Sequence, residues 1–112
     1  MTTKIDFEFN EEGDGNNNLR CLSLTATFKI NEQEIHWTLS DITGFTLVEC
    51  MDFVEKLNDN VKCSIGKKNI WVCNHNAGSE NCRLICGNTK VTVPNDIIIK
   101  ILKIFCEELE NY

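Results

Sequence analysis

The chain has one proline, two arginines (Arg20 and Arg83), two histidines and one tyrosine in 112 residues. Each scarcity excludes something. With 42% hydrophobic and 25% charged residues, a single proline excludes collagen-like repeats, proline-rich linkers and a disordered chain. No window approaches the roughly 18 consecutive apolar residues of a membrane span, so no membrane segment is expected. Residues 1–6 show no apolar run behind a basic start, so no export signal is expected either. The expectation is a soluble protein of a bacterial cytoplasm or a host cell interior. Basic residues are outnumbered, 11 against 17 acidic, for a net charge of −6. That sign repels a phosphate backbone and favours a basic protein partner, so no nucleic-acid partner is expected.

Catalytic motifs are also missing. There is no G-x-S-x-G elbow and no H-E-x-x-H, and Gly66-Lys67-Lys68 lacks the glycine spacing of a phosphate loop. The run Glu11-Glu12-Gly13-Asp14-Gly15-Asn16 does not match the ligand spacing of a calcium loop. Carboxylates such as Asp41, Asp52 and Glu55 are scattered rather than paired, so the chain is not expected to be an enzyme.

What is abundant is cysteine: seven, an odd number. Without an export signal, a reducing compartment and free thiols acting as small hydrophobes are the expectation, not a disulfide scaffold. The richness in asparagine, isoleucine and lysine resembles AT-rich coding, which suits low-GC bacteria, their phages or large DNA viruses.

Periodicity predicts the fold. Ile5, Phe7 and Phe9 alternate with polar residues as a first strand, and residues 10–18 (NEEGDGNNN) read as a polar loop. Leu24, Ala26, Phe28 and Ile30 make a second strand, with Ser23, Thr25 and Thr27 on its other face. After a turn at Asn31, a third strand carries Ile35, Trp37 and Leu39 opposite His36 and Thr38. Spacing then changes to three and four at Leu47, Cys50, Met51, Val54 and Leu57, a helix capped at Thr46. Val61–Ile65 and Ile70–Cys73 read as a hairpin around Gly66-Lys67, followed by strands at 83–87 and 89–93. A last helix opens at Pro94 or Asn95 and carries Ile98, Ile101, Leu102, Phe105 and Leu109 on one stripe. Its acidic end, Glu107, Glu108 and Glu110, predicts a frayed final turn. The expected fold is one α+β domain over 1–112, β-β-β-α-β-β-β-β-α, mostly antiparallel, with two helices packed on one face.

Two surfaces and one cluster stand out. The open sheet face would present Thr25, Thr27, His36 and Thr38, and Trp71 is the best anchor for a partner unless it is simply core. The acidic tip Glu11, Glu12 and Asp14 could engage a basic partner. Cys73, His75, Cys82 and Cys86 form a C-x-H-x6-C-x3-C set across a hairpin, with parity putting each pair on one face, so zinc is the alternative cofactor reading. The plain reading is packed thiols and a loop-exposed His75, with no cofactor. The leading expectation is a small non-catalytic protein-binding module that occupies a partner's surface. An inhibitor of the immunity-protein or phage or viral counter-defence type would be one form of it, and a homodimer would cover the same apolar patch. The alternatives are a zinc-stabilised interaction module and a small cysteine/histidine enzyme or ligand binder.

Overall fold

Leu24, Ala26 and Phe28 face Leu39, Trp37 and Ile35 across one antiparallel ladder, and all six are buried. Because side chains alternate across a strand, this register puts every apolar residue of the pair on one side. The computed structural model describes residues 4–14, 19–67 and 70–112, with 12–14, 19 and 20 by backbone alone. In it β1 (Asp6–Asp14), β2 (Leu19–Ile30) and β3 (Gln33–Ser40) form a three-stranded meander. The β2–β3 turn is two residues, Asn31 and Glu32, at φ 50° and 68°. A left-handed pair of this kind matches the twist of the strands it joins.

The expected loop at residues 10–14 is instead strand: Asn10 pairs with Ser23 and Asp14 with Leu19. Backbone groups of an edge strand find their partners in β2 whatever the side chains are, so polar composition did not end the strand. Residues 15–18 of that expected loop lie outside the described residues. Ser23, expected on the solvated face, is buried.

A 3-10 turn at Asp41–Thr43 closes β3, and Phe45 N bonds Ser40 O at 3.0 Å. The first helix, α1 (Leu47–Asn58), starts where expected, with Thr46 Oγ1 accepting the Glu49 N–H at 3.2 Å. Its buried stripe is Cys50, Phe53, Val54 and Leu57. Met51, expected on that stripe, is 53% exposed, because Phe53 takes the inward position.

The second half is a four-stranded meander of β4 (Cys63–Ile65), β5 (Val72–His75), β6 (Asn81–Cys86) and β7 (Thr89–Pro94). The expected tight hairpin at Gly66-Lys67 is replaced by a longer connection, and β5 begins only at Val72. Gly66 stands at φ 109° with the Trp71 carbonyl 2.5 Å from where a Cβ would be. Ile70 and Trp71 are therefore spent on this crossing, and His75 is drawn into the strand. The final helix, α2 (Asn95–Asn111), buries Ile97, Ile98, Ile101, Leu102 and Phe105. It runs helical to Asn111 through the acidic end that predicted fraying.

The protein is thus an α+β domain in which, among the described residues, seven strands divide between two antiparallel sheets, with α1 and α2 against the core. α1 packs on α2 and β4, while α2 reaches β2 of the first sheet and β6 and β7 of the second. One hydrophobic cluster draws on both sheets and both helices. At its centre Trp37 meets Phe45 edge-on, centroids 5.7 Å apart.

Candidate functional site

The register of the second sheet lines up Cys63, His75, Cys82 and Val93 in one row across its four strands, with Ile65, Cys73, Leu84 and Val91 in the next. Both rows face the core, and His75 is only 1% exposed. A buried imidazole must satisfy two nitrogens. Its Nδ1 lies 3.1 Å from Val61 O, and its Nε2 lies 3.0 Å from Ser79 O and 3.3 Å from Asn95 Nδ2. Asn95, the first residue of α2, is the hub: its Nδ2 also reaches Ser79 O at 3.2 Å, and its Oδ1 accepts the Cys82 thiol at 3.1 Å. Val61 O and Ser79 O each face a ring nitrogen, so the single N–H of a neutral imidazole meets one of them, while the two amide hydrogens of Asn95 reach Ser79 O and Nε2. Cys73 stands beside Cys82 in the core and turns its thiol toward the Cys82 sulfur. Burial pushes the Cys73 thiol well up, while the hydrogen bond from Cys73 draws Cys82 down against its own burial.

This arrangement is a buried polar clamp, and it does not assemble the expected metal set. Cys86 lies four residues along β6 from Cys82, about 13 Å at the rise of a strand. His75 has both nitrogens directed at protein partners. Among the described residues no group of three His, Cys, Asp or Glu side chains is placed to hold a metal ion. The donors present therefore do not fit zinc. The loop-exposed His75 of the plain reading is also corrected: the ring is in β5 and buried. Asn95 and Cys63 were missed because their roles depend on which strands and helix end lie side by side; the only signal was an asparagine at a helix start.

The open face of the first sheet holds Thr25 and Thr38, bonded to each other at 3.1 Å, and Thr27 bonded to His36 Nδ1 at 3.1 Å. His36 Nε2 sits 3.6 Å from Glu34. These side chains spend their polar groups on one another across β2 and β3. Trp71 is half-buried and packs against the core cluster. Glu11 is exposed, while the side chains of Glu12 and Asp14 lie outside the described ones, as does Lys68.

The concave apolar surface lies elsewhere, between the two helices. A groove of about 460 Å³ is lined by Met51, Val54 and Cys106, with Glu55, Asp59, Glu107 and Glu110 around it and Lys103 as the one cation among the described residues. Cys106 lines the groove and Cys50 is buried in the core beneath the helix pair, and burial pushes both thiols up. Val48, 76% exposed, extends the apolar surface one turn from Met51. Compared with protein-family models, curated proteins and solved structures, the chain has no match.

Proposed function

We propose that the protein is a non-catalytic binding module that occupies a partner's surface, with the α1–α2 groove as its contact and a basic amphipathic segment as the partner. The observation that carries this is the groove's make-up: an apolar floor, four carboxylates around it and one lysine. Apolar residues of the partner enter the floor while lysines or arginines meet the rim. The exposed Val48 and Met51 extend the apolar contact. A non-catalytic role is supported by the state of the most reactive-looking residues: Cys82 is 1% exposed and its thiol is spent on Asn95. A nucleophile needs access to substrate and a free base, and neither is offered there. Blocking a basic enzyme's working surface is one use of such a module.

The test is an amide NMR titration with a synthetic lysine/leucine amphipathic peptide, alongside sedimentation of the protein alone. Shifts centred on Met51, Val54 and Cys106, weakened by salt and by the Glu107→Lys, Glu110→Lys double variant, would support the reading. Shifts centred on either sheet, or indifference to the double variant, would defeat it. A two-fold dimer buried on this groove would replace the basic partner with a second copy.

A further inference from the structure

The outer face of the second sheet carries a different chemistry. Outward from the buried rows, Ser64, Asn74, Arg83 and Thr92 stand in one row across the four strands. By the same alternation Lys62, Asn76 and Asn81 continue that face at its end. These residues line a concavity of about 590 Å³, within the range of small-molecule sites. In a protein of net charge −6, the lining holds Lys62 and Arg83 and, among the described residues, no carboxylate. Neither cation has an acidic partner among the described residues. Arg83 lies two strands from Ser64 and Lys62 two residues further along, a separation of about 12 Å, so both long side chains can reach one bound group.

The rim is fixed in advance. Gly78 N donates to Asn60 Oδ1 at 2.8 Å, tying the β5–β6 loop to the end of α1. Ser79 Oγ and the Asn81 backbone bond each other at 3.0 and 3.1 Å. The His75 bond to Val61 O holds down the residue next to Lys62. A preorganised rim spares a ligand the cost of ordering it.

We propose that this concavity binds a small polyol phosphate of the sugar-phosphate class. Arg83 and Lys62 take the phosphate through charge-assisted hydrogen bonds, and the three asparagines with Ser64 and Thr92 match ligand hydroxyls. Among the described residues no aromatic ring other than the buried His75 lines the site, so a nucleobase finds no stacking surface. The site is separate from the α1–α2 groove and stands or falls independently of it.

The probe is glucose 6-phosphate, titrated into the isotopically labelled protein and followed by amide NMR, with glucose, inorganic phosphate and AMP as comparisons. Saturable shifts at Ser64, Asn74, Arg83 and Thr92, with glucose silent and phosphate and AMP weaker, are expected. Arg83→Gln should weaken binding by about tenfold or more, the usual scale for a lost charge-assisted bond, and Lys62→Gln should weaken it independently. Both side chains are exposed, so unchanged spectra of the free variants will certify the fold. Absence of shifts, shifts elsewhere, equal response to phosphate or AMP, or full binding by Arg83→Gln would overturn the proposal.

Discussion

Replacing Asn95 by alanine tests the clamp that joins α2 to the second sheet. The asparagine side chain accepts from Cys82 and donates to His75 and Ser79 O, at 3.1, 3.3 and 3.2 Å. Alanine leaves the Cys82 thiol without that acceptor and His75 Nε2 without a donor in a site where the ring is 1% exposed. A buried polar group left unmet costs about 1–3 kcal/mol, and a thiol, being a weak donor, falls at or below the low end. Ser79 O keeps His75 Nε2 at 3.0 Å and adds little to the cost. The sum is about 2–4 kcal/mol, a large share of the roughly 5–15 kcal/mol that holds a domain of this kind together. Urea unfolding followed by tryptophan fluorescence should show a lower midpoint with the slope unchanged. Asn95→Asp is the control: it keeps an acceptor for Cys82 but sets a carboxylate oxygen against Ser79 O, so it should also destabilise. A loss below about 0.5 kcal/mol in Asn95→Ala, the ordinary scatter of surface changes, would mean that the clamp is ornamental and the reasoning wrong.

Three further outcomes follow from local geometry. Gly66→Ala would place a Cβ 2.5 Å from the Trp71 carbonyl at φ 109°, so it should cost at least about 2 kcal/mol in the same unfolding assay; an unaffected midpoint would contradict the close approach. Glu32→Gly relieves a left-handed φ of 68° and should gain about 0.5–1 kcal/mol, read as a rise in Tm; a fall would count against the turn. Stability should decline in alkali. Burial raises the Cys50 thiol above its ordinary value, so the native state keeps a proton that the unfolded chain releases above about pH 8.5. The contribution is whole below that pH and is lost as pH climbs toward the folded value, at about 1.4 kcal/mol per pH unit for one such group. Cys73 acts in the same direction and Cys82 in the opposite one. Unfolding free energies at pH 7 and 9.5 should differ less in Cys50→Ala than in the parent; equal slopes would rule out Cys50 as the cause.

Elements with strong periodicity were legible: β2 and β3 through Leu24 to Leu39, α1 through its Thr46 cap, and α2 through its unbroken stripe. What could not be read was set by neighbours distant in sequence. The strand at residues 10–14 exists because β2 is beside it. His75 is buried because Gly66 delays β5 and Asn95 arrives from α2. The cysteine and histidine pattern pointed to the right sheet and the wrong partner: parity placed Cys82 with Cys86, but only the register could set Cys63 in the row with His75 and Cys82. The helix groove was invisible for the same reason, since Met51 and Cys106 look like core until the helices are placed.

Both sheets are meanders of consecutive strands, and among the described residues no ladder crosses from one to the other. The first sheet therefore meets the second sheet and the two helices, with α1 packed on α2 and β4, through side chains rather than strand hydrogen bonds. Such a seam can part without unzipping either sheet, so amide exchange should resolve two cooperative units, with α2, which touches both, protected by the more stable of them.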